Sequence, residues 1–248
     1  AIQALDTKGL PALKNVSFAV HPGEILGIAG VSGNGQSELA QVLSGMLQPV
    51  SGKIIFKGTD ITRLTPVEIV RLGIGRIPED RHASVVGEMS VAENIVMETL
   101  NEYAPRGLLD RKRINQYAES LIAQYQIKAR PQDPIRTLSG GNMQKVLLAR
   151  TLARNPEVIV VSQPTRGLDV GATEYIHTVL RAQRQRGAGI LLISEDLEEV
   201  LALSDRIAVI YEGQIMDILE TKNTSVEQIG LLMAGTRPDT VTAANQQG

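Results

Sequence analysis

The chain has 248 residues, a formal net charge of −2 and no cysteine. Its length suffices for one large α/β domain or two small ones with a proper core, and its near-neutral charge leaves no basic footprint for nucleic acid. Disulfides and thiolate metal sites are excluded, and no apolar run approaches the roughly 18 residues of a membrane-spanning helix.

ALKNVSFAVHPGEILGIAG predicts two strands around the turn HPGE, with Gly23 supplying the turn. A glycine-rich loop follows, then a helix over about 37–47. SGKIIFKG predicts a further short strand, and residues 60–72 a turn and a short helix ahead of GIGRIPEDR. From about Ser90 to Pro134 the apolar residues recur at three- and four-residue spacing, the period of helices. TLSGGNMQKVLLARTLARNP predicts a capped, strongly amphipathic helix ending before Pro156. PEVIVVS and AGILLIS read as buried strands, each followed by a helix, with Gly187 closing the first of these. DRIAVIYEGQIMDIL predicts a hairpin turning at Glu212–Gly213. After Thr221 the chain predicts a short helix and a flexible end over 221–248. A β-rich start, a helical insert and a closing βαβαβ run together predict an α/β core with a helical subdomain. The opening at Ala1 and the polar ending TAANQQG suit a domain cut from a longer cytosolic chain.

The chemistry starts in GVSGNGQSE, from Gly30 to Glu38, between an apolar strand and a helix. Such a turn makes a nest of backbone N–H groups at a positive helix end, which cradles phosphates. Gly30, Gly33 and Gly35 let the backbone approach an anion, with Ser32, Asn34, Gln36 and Glu38 as the other members of the loop. Ser37 would offer its hydroxyl to Mg²⁺. The phosphate-loop pattern asks for lysine where this chain has Gln36. A carboxamide donates a hydrogen bond but brings no charge. No metal-spaced partner stands near His82 or His177, so both read as surface or packing residues. The run DRKRIN reads as the solvated face of a helix.

TLSGGNMQKVLLARTLARNPEVIVVSQPTRGLDVGA resembles the signature-to-Walker-B segment of ATP-binding-cassette (ABC) ATPases. The family's LSGGQ signature corresponds to Leu138, Ser139, Gly140, Gly141 and Asn142, and Asp169 to the aspartate of its D-loop. The resemblance covers about residues 5–220 and implies a P-loop NTPase-like ABC cassette with an antiparallel β subdomain and a helical insert at about 80–136. LSGGNMQK, PTRGLDVGA and IPEDR resemble the second, C-terminal cassette of sugar and nucleoside importer ATPases, and the GNGQSE loop the nucleoside branch.

Against that pattern six features of the chain's own nucleotide site have changed. Residues 5–10, LDTKGL, lack the aromatic residue that stacks on adenine. Gln36 replaces the phosphate lysine, Glu79 the Q-loop glutamine, and Ser162 the Walker B aspartate that helps hold the metal. Gln163 stands for the catalytic glutamate and cannot accept a proton at neutral pH, and Glu195 stands for the switch histidine. Phosphoryl transfer depends on positioning and charge neutralisation, and this site has lost sources of both. The signature is intact. In ABC dimers each nucleotide lies between the loop of one cassette and the signature of the other. The resemblance therefore implies a domain that completes a partner cassette's ATP and Mg²⁺ site while its own is weak or inert. It further implies fusion to that second cassette, integral membrane permease subunits that dock on about Ile77–Asn94, indirect service to a solute-binding protein, no nucleic acid, and a peripheral place on the cytoplasmic face of the membrane. The alternatives are a soluble ABC ATPase, a purely structural pseudo-ATPase, and a chain that turns over ATP with substitute residues.

Overall fold

The computed structural model describes residues 1–237. Its centre is a six-stranded sheet in the order β10-β9-β3-β8-β7-β6. Strands β3 (Ile25–Ala29), β6 (Ile74–Ile77), β7 (Val158–Ser162), β8 (Gly189–Ile193) and β9 (Arg206–Tyr211) run parallel, and β10 (Gln214–Glu220) returns antiparallel from β9. Every residue of β3 and β8 is buried. A parallel sheet covered on both faces needs such continuous apolar strands. Gly27 marks where a helix crosses most tightly. A Cβ there would lie 2.3 Å from Ser204 Oγ and 2.7 Å from Val200 Cγ1.

Two small antiparallel pairs flank this sheet: β1 (Ile2–Leu5) with β2 (Pro11–Val16), and β4 (Ile55–Phe56) with β5 (Thr59–Asp60). The helices are α1 (Gln36–Leu43), α2 (Pro66–Arg71), α3 (Val91–Val96), α4 (Arg111–Gln124), α5 (Gly140–Leu152), α6 (Val170–Gln185), α7 (Leu197–Leu203) and α8 (Val226–Met233). The starts of α2 and α3 are fixed by reciprocal capping boxes, Thr65 with Glu68 and Ser90 with Glu93. The helical region shares one core with the sheet: Val91, Ile95, Ile114 and Leu121 pack with Met143, Val146, Ile159 and Ile190.

Several expectations need correction. The strands on either side of HPGE do not pair with each other, because β2 joins β1 while β3 enters the central sheet. Helix α1 ends at Leu43 rather than near Leu47, as Ser44 and Gly45 turn the chain. Helix α5 is less one-sided than its sequence suggests, being buried almost all round from Met143 to Leu152 because it lies between the sheet and α3 and α4. Strands β1 and β6 were not foreseen. The predicted short helix after Thr221 is α8, and the tail at 238–248 lies outside the described residues.

Candidate functional site: a self-bonded loop and an open helix end

The loop 30–35 leaves the carboxyl end of β3 and enters α1, the place where open α/β sheets bind ligands. Gly35 caps α1 at φ 103°, with no side-chain hydrogen bond. Any Cβ there would stand 2.7 Å from the Ala12 carbonyl oxygen, so conformation and space both demand glycine. The side chain of Gln36 does not point out towards an anion. It is 6% exposed, donates from Nε2 to the Val31 carbonyl at 3.0 Å, and accepts the Asn34 N–H on Oε1 at 3.1 Å. Asn34 adds a second donor to Val31 O at 2.8 Å, so both lone pairs of that carbonyl are engaged. Asn34 also accepts from Glu212 N–H at 2.6 Å and, through its own carbonyl, from Gly213 N–H at 3.0 Å. The β9–β10 turn is thus strapped to the loop. Ser32, Gly33 and Ser37 are exposed, and Glu38 sets a carboxylate in the first turn of α1, where an arriving anion would meet it.

Ser37, Glu79 and Ser162 line one cavity of about 670 Å³, together with Asp80, Arg81 and Arg166. The structure brings these sequence-chosen residues together. Gln163, Glu195 and Ser139 do not line it. Gln163 is buried at φ 48°, a backbone state rare for residues other than glycine. Its N–H donates to Ile193 O at 2.8 Å, and its Oε1 accepts the Glu195 N–H at 3.2 Å. The carboxamide therefore ties the ends of β7 and β8 together, while Glu195 is exposed. Glu79 is ion-paired with Arg166. Asp80 accepts the N–H groups of His82 and Ala83 at 2.9 and 3.0 Å, chiefly the Ala83 bond holding its carboxyl below the ordinary range. Mg²⁺ favours oxygen ligands that include free carboxylates in near-octahedral array. With Ser162 in place of a carboxylate and the acidic groups of the cavity engaged elsewhere, this donor set does not fit the ion.

The start of α5 is arranged differently. Ser139 is its N-cap. The exposed hydroxyl accepts the Asn142 backbone N–H at 3.4 Å and the Asn142 Nδ2 at 2.9 Å. Asn142 is held in turn by accepting the Lys128 N–H at 2.8 Å. A hydroxyl has two acceptor sites and one donor, so Ser139 keeps its proton for an incoming group. Gly140 and Gly141 present the free N–H end of a 13-residue helix, which favours an anion. Asp169 caps α6 through Ala172 N–H at 2.8 Å. Leu138 is half-buried and packs on the main core.

The profile of the ABC transporter family matches residues 13–166. The chain belongs to the ABC transporter family. Over 248 residues it is 42% identical to the guanosine import ATP-binding protein NupO of Bacillus subtilis, an alignment covering 98% of this chain and 49% of that one. The nucleoside import ATP-binding protein NupA of Lactococcus lactis is 43% identical over 93% of this chain and 46% of its own length. The ribose import ATP-binding protein RbsA of B. subtilis is 37% identical over 91% of this chain and 46% of its own. The ABC cassette described here thus spans about half the length of the curated relatives it matches. Among solved structures, a nucleotide-free ATP-binding cassette of an ABC transporter superposes with a TM-score of 0.76 at 27% identity, covering 97% of this chain and 94% of that one. The ADP conformation of the cassette MJ1267 gives 0.74 at 26%, covering 97% and 94%.

Two features of this ABC cassette escaped the sequence. One is the strap from Asn34 to the β9–β10 turn. The other is a buried group around Glu199 on α7, which accepts from Thr165 Oγ1 at 2.8 Å and lies 3.0 Å from His177 Nε2 on α6. His82 is exposed, whereas His177 is a packing residue with a carboxylate partner.

Proposed function

We propose that this cassette is the nucleotide-binding domain of an importer of nucleosides or simple sugars, that its own ATP site is degenerate, and that its signature completes the ATP site of a partner cassette. The domain comprises residues 1–220, with its helical subdomain at about 80–136. The partner cassette, fused in the full-length chain, supplies the phosphate loop, Mg²⁺ ligands and catalytic base. Integral membrane permease subunits fix the assembly on the cytoplasmic face of the membrane, and a solute-binding protein delivers cargo to them. The relatives named for guanosine, nucleoside and ribose import support the cargo class.

One observation carries the reading: the contrast in hydrogen bonding between the two anion-facing edges. The Gln36 side chain is spent within the loop, on Val31 O and the Asn34 N–H, and offers no cation to an anion. The Ser139 hydroxyl, with both acceptor sites filled by Asn142, keeps a free proton. It can donate to an outer phosphate oxygen while Gly140 and Gly141 supply the helix end. Gln163 cannot take up a proton at neutral pH and accepts the Glu195 N–H instead.

The test compares two variants in the intact transporter, with phosphate release as the readout. Ser139→Ala is expected to lower ATP turnover at least about tenfold, the worth of one hydrogen bond to a charged group. Gln163→Ala should leave turnover within about twofold, since nothing in the chemistry passes through it. A large loss on Gln163→Ala beside a harmless Ser139→Ala would reverse the assignment.

A further inference from the structure

Arg81, in the segment IPEDR, lines the cavity and reaches the start of α5. Its Nη1 donates to the Arg166 carbonyl at 2.9 Å. The rest of the guanidinium lies close to two glycines. A Cβ built on Gly140 would stand 3.3 Å from Nε, and one on Gly167 would stand 3.4 Å from Nη2. The contact is close enough that Nε is buried without a hydrogen-bond partner. An unpaired buried donor is costly, so the position tolerates a penalty to keep this plane in place. Arg166 is gripped twice from one short segment, since its side chain pairs with Glu79 while its carbonyl accepts from Arg81. The turn that bears Arg81 is itself fixed by Asp80 and by Ser84 Oγ, which donates to the Asp80 carbonyl at 2.6 Å.

We propose that Arg81 is a positioning residue that fastens the N-terminus of α5 to the turn 163–168, so that the signature and Asp169 move as one unit with the segment 79–84. The inference rests on the reading that Ser139 serves a partner's nucleotide. It adds that Arg81 acts through Ser139, by fixing the direction in which the hydroxyl and the N–H groups of Gly140 and Gly141 point. Arginine suits the task because its planar fork reaches two backbone segments at once, 166–167 and Gly140, which a lysine ammonium does not.

A double-mutant cycle in the intact transporter tests this. Arg81→Ala is expected to reduce ATP turnover about tenfold, comparable to losing a hydrogen bond from a charged donor. In the Ser139→Ala background the same change should cost less than about threefold more, because residues acting through one contact are not additive. A further loss of threefold or more there, or no loss from Arg81→Ala alone, overturns the inference and leaves the signature reading standing. A harmless Ser139→Ala overturns both. Should Arg81→Ala fail to fold, Arg81→Lys carries the same cycle, since it keeps the charge and stem but loses the fork. Turnover equal to the parent in that variant also counts against the proposal.

Discussion

Around Gln36 the loop's groups face inward. Asn34 N–H, Val31 O and the Gln36 carboxamide close on one another, and the β9–β10 turn seals the outside. Around Ser139 the groups face outward, and Asn142 fills the acceptor sites so that the donor is left over. Both regions are glycine-rich starts of helices. What separates them is where the side chain spends its hydrogen bonds: Gln36 spends both its donor and its acceptor on the loop, whereas Ser139 only accepts. At position 36 the side chain is turned inward and spent, while at position 139 a hydroxyl proton is left over.

That comparison can be broken most forcefully by restoring charge. Gln36→Lys, Ser162→Asp and Gln163→Glu together are expected to tighten Mg-ATP binding to this cassette at least about a hundredfold, since several contacts to charged groups return and each is worth about 1.5–3 kcal/mol. Titration calorimetry reads the change directly. No gain would mean that the backbone nest has the wrong shape, and the carboxamide would not be the deciding group. Gln36→Ala separates the two effects. It removes two hydrogen bonds of the loop and should lower stability by about 1–3 kcal/mol, at about 0.5–1.5 each, read as a shift of the denaturant midpoint. On the signature side Asn142→Ala removes the side-chain bonds to Ser139 and Lys128 and should cost about 1–3 kcal/mol, at about 0.5–1.5 each. Its effect on turnover should be smaller than that of Ser139→Ala, because the donor itself survives. The smallest effect is that of pH. Asp80 has a folded-state pKa below its ordinary value, through the Ala83 and His82 N–H groups. Its contribution is therefore complete above the ordinary value of about 3.9 and is lost as pH falls through the lower folded value. The Ala83 amide resonance should hold still from pH 5 to 8 and move only in acid. Movement near neutrality would detach this turn from Asp80.

Much of the fold was legible because the sheet's strands, such as EILGIA and PEVIVVS, are buried on both faces and so read as unbroken apolar runs. Capping residues marked helix starts for the same local reason. β6 was hidden because its sequence, IGRI, is short and carries a glycine that only its neighbours explain. A Cβ on Gly75 would meet Thr151 Cγ2 at 2.7 Å. The membership of the site was legible in Gln36, Ser139 and Ser162, where a motif fixes position. Its wiring was not. The direction of the Gln36 side chain is a rotamer choice made against Gly30, where a Cβ would stand 2.8 Å from Nε2. Arg81 meets Arg166 across 85 residues of chain, and no local pattern announces such a contact. Asn94, fully buried, accepts the Val86 N–H at 2.9 Å, a contact that helical spacing alone does not announce.

The carboxamide of Gln36 has a consequence for how this cassette responds to its surroundings. A loop ordered by a diffusing anion gains stability in proportion to the logarithm of that anion's concentration. Here the group that orders the loop is tethered five residues from the carbonyl it binds. A tethered group acts at a fixed effective concentration that dilution does not change. On the proposed function, the Gln36 side chain holds its part of the loop alike in a starved cell and an energised one.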